Sequence, residues 1–333
     1  MSASGGTKAI LAALLANLGI AAAKFIGWLL TRSSSMLAES IHSVADSGNQ
    51  VLLLIGGRRA QRKATPQHPF GYGRERYIYA FIVSIVLFTV GGLFALYEAW
   101  HKWSHPEGIH GWEWVPVGVL VVGIVLEAFS FRTAVAEARQ VRGTSSWVDF
   151  VRHAKAPELP VVLLEDLGAL VGLILALFGV SMTLVTGDGR WDAAGTAMIG
   201  VLLVSIAVIL AIETRSLLLG EAARPEDLAK IEKAITEGAE GRRIIHMKTL
   251  HLGPEELLVA AKIAMPRNAT AEEVARDIDA TEARIRAAVP IARVIYLEPD
   301  IYRPSGRAET VGVVTQPVGN DQSRNQVTGS PGG

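Results

Sequence analysis

Cysteine is absent from the 333 residues, and charged residues make up only 19% of them. Without thiols the chain has no structural disulfide and no thiolate metal site, which leaves nitrogen and oxygen as the only metal donors. So little charge, beside 50% hydrophobic residues and a mean hydropathy of +0.32, excludes an ordinary soluble globule, while the regular patterning excludes a disordered chain. Net charge is missing too, because 32 Lys and Arg balance 32 Asp and Glu. Most of the soluble charge lies beyond Gly220, so the balance identifies no partner and gives no ground for nucleic-acid binding. Neither a short-period repeat nor a His-Glu-x-x-His metal motif is present, which argues against an intramembrane metallohydrolase. Lys8 is followed by an apolar run with no persuasive small-residue cleavage site, and the run is read as a retained span.

What the chain does have is long apolar runs. Ala9–Leu30, Met36–Gly57, Tyr77–Tyr97, Trp114–Phe131, Leu159–Val185 and Ala193–Ile212 each suit a membrane crossing, and together predict a helical bundle with six transmembrane helices. Arg58, Arg59, Arg62, Lys63, Arg74 and Arg76 follow the second run, and Arg132, Arg139, Arg142, Arg152 and Lys155 follow the fourth. The alternate connections carry mainly Arg32, Lys102 and Arg190. The positive-inside rule therefore puts both termini and the two basic connections in the cytoplasm, with Trp100, Trp103, Trp112 and Trp114 at the outer interface.

From about Arg224 the pattern changes to a small α+β module. Pro225–Glu237 reads as a helix, Ile244–Leu252 and Leu257–Met265 as alternating strands, and Ala292–Leu297 as a last strand. A helix over Ala271–Ala288 follows the Thr270 cap, with Glu273 three residues on. This order suggests a cytoplasmic ferredoxin-like fold of a size that often relies on association. The tail, rich in Gly, Ser, Asn, Gln and Pro, is expected to be disordered. The boundaries read as 1–220 for the membrane domain, 221–303 for the cytoplasmic one and 304–333 for the tail.

Ionisable groups inside apolar spans are the informative exceptions, since a central charge costs at least about 2.5–3.5 kcal/mol and usually meets a partner, a cavity or an ion. On a helix Glu39, His42, Asp46 and Asn49 form one polar stripe. His42 and Asp46, one turn apart, could ligate one ion; Asn49 could add a carbonyl oxygen or orient Asp46. In the fifth run Glu165 and Asp166 diverge by about 100° on a helix. Asp166 is therefore chosen as the direct ligand, and Glu165 as a second ligand or a proton-exchanging carboxylate. Gly168, Ala169 and Gly172 would let a neighbouring helix come close. Imidazole with carboxylates points to a divalent metal. The competing reading is an interhelical hydrogen-bond network that only holds the bundle together, with Glu165 or Asp166 pairing a basic group or capping a helix break.

Three segments carry a family resemblance: Met36-Leu-Ala-Glu-Ser-Ile-His42-Ser-Val-Ala-Asp46, His68-Pro-Phe-Gly-Tyr-Gly-Arg74-Glu-Arg-Tyr, and Val294-Ile-Tyr-Leu-Glu298-Pro. Through them the chain, over about Lys8–Pro304, resembles the cation diffusion facilitators, dimeric metal/proton antiporters with six spans and a cytoplasmic ferredoxin-like domain. Asp46-Ser-Gly-Asn49-Gln50 and Val162-Leu-Leu-Glu165-Asp166 are most similar to the zinc transporter nine-like branch. The resemblance implies that His42, Asp46 and Asp166 form an intramembrane transport site, and that the protein is a homodimer and not an enzyme.

The departures matter as well. Where the commonest zinc pattern has a His four residues before the fifth-span Asp, this chain has Val162, with Glu165 as the available substitute. One His with carboxylates is a harder donor set, so Mn²⁺, Fe²⁺ or Co²⁺ stand as alternatives to Zn²⁺. The family's accessory loop site keeps only His68, because Thr65 and Tyr72 occupy two of its positions; His68 is read as bracing the loop. His246 and His251 are weak metal candidates of the soluble module, with Tyr296 and Glu298, and are read as solvated strand residues. His101, His105 and His110 are read as interfacial. Lys24 can snorkel and is assigned no role. Glu127 is a proton or gating residue or a packing hydrogen bond, and Glu39 and Asn49 are accessory transport or proton residues.

The resulting expectation is a multi-pass membrane protein, in a bacterial plasma membrane for want of an Arg/Ser-rich presequence, that exports a divalent metal as substrate in exchange for protons. Zn²⁺ is the first choice, and no resident cofactor is expected. A passive metal channel and a structural membrane module are the alternatives.

Overall fold

The computed structural model describes residues 18–30, 32–106, 114–237 and 243–303. Residues 9–17 of the first expected span, His110, Trp112 and the expected disordered tail lie outside them. The helices are α1 (Leu18–Leu30), α2 (Ser34–Ala60), α3 (Glu75–Ser104), α4 (Trp114–Arg142), the short α5 (Trp147–His153), α6 (Glu158–Thr186) and α7 (Arg190–Leu219). Beyond them come α8 (Pro225–Thr236), β1 (Ile244–Gly253), β2 (Glu256–Ala264), α9 (Ala271–Ala288) and β3 (Ala292–Asp300).

By length and composition, four described helices can cross a membrane: α3, α4, α6 and α7. The expected six apolar spans therefore narrow to four clear ones. The 27 residues of α2 reach about 40 Å, long enough to span. Its Ser, His, Asp, Glu and Asn side chains and closing Arg58 and Arg59 keep it off the apolar set, so the polar stripe that makes α2 interesting also lowers its hydropathy.

Met36, Leu87, Leu120, Leu173, Ile199 and Leu203 form the centre of the bundle core. Helices α6 and α7 meet almost backbone to backbone. A Cβ on Gly179 would lie 2.9 Å from the Trp191 carbonyl, and one on Gly195 would lie 3.0 Å from that of Leu175. Close approach of this kind replaces the hydrophobic drive that lipid does not supply. Gly172 faces α2 as expected, but Gly168 packs on Ile206 of α7. Within α3, Leu87–Leu93 is a π-helical stretch whose Gly91 lies against Leu203 and the His42 ring. Such wide turns recur at functional sites.

A long-range anchor holds the start of α2. The buried Asp192 carboxylate of α7 accepts from the Ser33 hydroxyl at 2.9 Å, the Ser34 amide at 2.7 Å, the Ser34 hydroxyl at 3.0 Å and the Ser35 amide at 3.3 Å. Its own amide donates to Thr183 of α6 at 3.0 Å. An anion facing free helix N-terminal amides is favoured by both hydrogen bonding and the helix dipole, so one residue, through its carboxylate and its main-chain amide, ties α2, α6 and α7 together.

The soluble unit is a three-stranded sheet in the order β1-β2-β3. β1 and β2 are antiparallel through the Gly253/Glu256 turn, and β3 joins β2 in parallel after the α9 crossover. Alternation along β2 sends Leu257, Val259, Ala261 and Ile263 inward against Ile231, Ile235, Ile285 and Ile295. The Thr270–Glu273 capping box opens α9 as its sequence predicts. A four-stranded ferredoxin-like sheet is not seen among the described residues. This unit meets the bundle where Gly73 packs on Leu252 and Gly253, where Arg76 pairs with Glu158 and, at 3.6 Å, with Glu255, and where Lys155 pairs with Glu221.

Replacing Asp192 with Ala strands several buried donors at once and is expected to destabilise the bundle by about 3–5 kcal/mol. Unfolding of the detergent-purified protein measures it; a loss below about 1 kcal/mol would show that the carboxylate is not the anchor.

Candidate functional site

Four helices converge on one small cavity. Ser43, Asp46 and Gln50 of α2, Glu127 of α4, Glu165 and Asp166 of α6, and Ile20 of α1 line a space of about 10 Å³, the volume of one water molecule or ion. Ser43, Asp46 and Gln50 repeat at helical spacing, so their side chains share a face of α2. His42 and Asn49 flank that face: His42 is fully buried toward Gly91 of the π-helical stretch, while Asn49 turns toward α6.

Each carboxylate on the wall has a defined environment. The Asn49 amide donates to Glu165 at 2.7 Å, so Asn49 orients Glu165 rather than Asp46. The Ser130 hydroxyl, one turn beyond Glu127 on α4, donates to Asp166 at 3.1 Å. His42 Nδ1 lies 3.4 Å from Asp46 Oδ1, and neither atom makes a hydrogen bond among the described residues. Oδ1 of Asn49 and both ring nitrogens of His42 are likewise unpartnered there. These are donor and acceptor atoms without a partner among the described residues, at the lining and flank of an ion-sized cavity. Still, no group of three His, Asp or Glu among the described residues already has a metal-holding arrangement.

The reading of Lys24 as a snorkelling residue needs correcting. Glu39 pairs with Lys24 at 3.0 Å, and Lys24 also donates to Ser43 at 2.8 Å. Lys24 is 1% exposed, so it does not snorkel. The cause is the neighbour: Glu39 Oε1 sits against Gly172 of α6, where a Cβ would come within 2.5 Å, and the ammonium stays beside that carboxylate instead of extending to water. Ser43, Gln50 and Ser130 escaped the sequence reading; the spacing of Ser43 and Gln50 about Asp46, and of Ser130 from Glu127, was the available signal.

The cation efflux transmembrane domain matches residues 10–219 of the chain. The protein belongs to the cation efflux family, the cation diffusion facilitators. It is 30% identical over 243 residues to the human mitochondrial proton-coupled zinc antiporter SLC30A9, a match covering 72% of this chain and 42% of that protein. It thus spans under half the length of those antiporters, and the likeness supports the zinc transporter nine-like branch. The metal cation efflux system protein CzcD of Cupriavidus metallidurans is 26% identical over 71% of this chain and 70% of its own. An uncharacterised transporter of Methanocaldococcus jannaschii is 23% identical over 88% and 98% respectively. These relatives are named as transporters, not enzymes.

The remaining candidates of this cation efflux protein are dispersed. His68 belongs to a tight turn, its amide bonded to Thr65 and its ring 4.7 Å from that of Tyr72; Tyr72 itself lies 3.2 Å from the Thr65 hydroxyl. Thr65 and Tyr72 are thus hydrogen-bonded to each other across the turn. His246 is exposed on β1, as expected, whereas Glu298 pairs with Lys262 at 2.8 Å. His101 and His105 are exposed, with rings 5.4 Å apart.

His251 departs from the expected solvated residue. It is 2% exposed, because its strand end lies under the Glu221 linker, whose carbonyl accepts from the His251 amide at 2.9 Å. Burial pushes the imidazole below its ordinary 6.5, with Lys155 and Arg224 adding to this and the Gly253 carbonyl opposing it. The unfolded chain then takes up a proton that the folded chain refuses, so this contribution to stability is complete above about pH 6.5 and is lost as pH falls below it. Hydrogen-exchange protection of β1 in the full chain is expected to drop between about pH 7.5 and 5.5, with a shallower slope in His251→Gln. Equal slopes would refute the assignment.

Proposed function

We propose that the protein is a proton-coupled antiporter that exports a divalent transition-metal cation, with Zn²⁺ the first choice of substrate. The observation carrying this reading is the placement of four carboxylates, Asp46, Glu127, Glu165 and Asp166, around one ion-sized cavity between membrane-length helices. In this reading His42, Asp46 and Asp166 receive the metal, Glu165 supplies the donor that Val162 cannot, and Glu127 exchanges protons. The metal takes neutral imidazole and ionised carboxylate, so protons compete with it for the same atoms. Asn49 and Ser130 hold Glu165 and Asp166 through single neutral hydrogen bonds, contacts that an entering cation can outcompete. The human relative is a proton-coupled zinc antiporter, which supports the same exchange and metal.

The six-span topology with cytoplasmic termini, the division at 220/221 and 303/304, the ferredoxin-like character of the soluble unit and the homodimer are parts of this proposal. The relatives' names lend no support to a bacterial plasma membrane, since the mammalian antiporters are mitochondrial. The donor set keeps Mn²⁺, Fe²⁺ and Co²⁺ as alternatives, because carboxylates outnumber imidazoles. The structural-module reading has its own support, as the Asn49–Glu165, Ser130–Asp166 and Lys24–Glu39 contacts all join different helices.

Proteoliposomes with an imposed pH gradient decide among these. Uptake of Zn²⁺, Mn²⁺, Fe²⁺ and Co²⁺ is expected to follow the gradient and to fall at least about a hundredfold in Asp46→Ala and Asp166→Ala. Glu165→Ala is expected to weaken apparent affinity for the metal more than it lowers the maximal rate. Flux without gradient dependence would favour a channel, and no metal flux at all would return the cluster to a structural role.

A further inference from the structure

Within the described bundle interior, Lys24 is a buried cation that the transport scheme leaves unused. It is almost fully buried, and its ammonium is bonded to Glu39 at 3.0 Å and to the Ser43 hydroxyl at 2.8 Å. Ser43 lines the cavity, so the ammonium stands one hydroxyl behind its wall. Because Ser43 accepts from Lys24, its remaining hydrogen is free to be donated into the cavity, and that part of the wall offers a donor instead of a metal ligand. Glu39 lies two helical turns before Asp46 on the same side of α2. Its Oε1 is buried and unpartnered among the described residues, a metal-ready oxygen held against Gly172.

We propose that Lys24 is a positioning and specificity residue of the transport site, a tethered cation that holds Glu39 out of the ligand set and limits how tightly the site grips a divalent ion. This rests on the transport reading given above. A site that must release its cargo on every cycle gains nothing from unlimited affinity. The Lys24–Glu39 pair is close to neutral as a unit, so it leaves the net charge of the cavity to Asp46, Glu127, Glu165 and Asp166. Removing either partner unbalances the site, in opposite directions. Without the ammonium, Glu39 becomes an extra free anion and Ser43 is released; without the carboxylate, the ammonium becomes an unbalanced repelling charge.

The test compares Lys24→Met, Glu39→Gln and the double variant with the wild type, using Zn²⁺ binding to the detergent-purified protein at equilibrium and gradient-driven Zn²⁺ flux in proteoliposomes. Lys24→Met is expected to tighten binding about tenfold and lower the maximal rate, Glu39→Gln to weaken binding about tenfold, and the double variant to return to within about threefold of wild-type affinity. A purely structural pair would shift both single variants the same way, through lost folded protein, with affinity per folded molecule unchanged. That outcome, or an unchanged affinity in Glu39→Gln should Lys24→Met fail to fold, overturns the proposal. Absence of flux in the wild type would instead remove the antiporter reading, and the binding measurements would still decide whether Lys24 sets the affinity of the site.

Discussion

Charge at membrane depth has to be matched, and this requirement organises the bundle. Asp192 is matched by Ser33, Ser34 and Ser35, Glu39 by Lys24, Glu165 by Asn49 and Asp166 by Ser130. Each match joins two different helices. The contacts that keep α1, α2, α4, α6 and α7 in register are therefore made by the same kind of group that could carry an ion, and packing and chemistry cannot be assigned to separate parts of the molecule. Alanine, glycine and serine at the crossings, such as Gly172 beneath Glu39 and Gly195 beside Ser35, set the backbone distances at which those matches become geometrically available.

The matches differ in strength, and the difference sorts the carboxylates. Asp192 accepts several hydrogen bonds, including main-chain donors at a helix N-terminus, and Glu39 has a full ion pair. Both are committed to structure in the ground state. Among the described residues Glu165 and Asp166 have one neutral side-chain donor each, while Asp46 Oδ1 makes no hydrogen bond and lies at 3.4 Å from an imidazole nitrogen. Buried carboxylates so lightly held have a large unmet demand for positive charge, whether proton or metal. The gradient of satisfaction runs from Asp192, at the start of α7, to the carboxylates that line the cavity.

Much of this was legible in one dimension. Apolar runs located the helices, alternation located β1 and β2, and Thr270 with Glu273 located the start of α9, because each depends on neighbours within a few residues. The polar stripe of α2 and the Glu165–Asp166 pair stood out for the same reason. What could not be read depended on partners far along the chain. Whether Lys24 snorkels or pairs is decided by the room that Gly172 leaves for Glu39. Whether Asn49 serves Asp46 or Glu165 is decided by the rotation of α2 against α6. Ser33, Ser34 and Ser35 look like an ordinary helix start until Asp192, some 158 residues away, is brought to them. The extent of α4, which continues past Phe131 to Arg142, was hidden because its last turns leave the apolar pattern.

The placement of α6 carries a further consequence. Glu158 in its first turn pairs with Arg76 at the base of α3, and Lys155 just before it pairs with Glu221 at the exit of α7. Arg76 also reaches Glu255 in the β1–β2 turn of the soluble unit. Glu165 and Asp166 follow Glu158 by two helical turns, about 11 Å of rise. Between the ion-pair layer and the cavity there is only regular helix, with no proline beyond Pro160 in the first turn and no wide turn to absorb a displacement. A rigid segment of that length transmits rotation and translation to the side chains it carries, so the register of Glu165 against Asn49 and of Asp166 against Ser130 is tied to how the soluble unit holds the base of α3 and α6. The wide, glycine-bearing π-helical stretch of α3 beside His42 is the opposite case. There the hydrogen-bond ladder is wider than in the regular helix of α6.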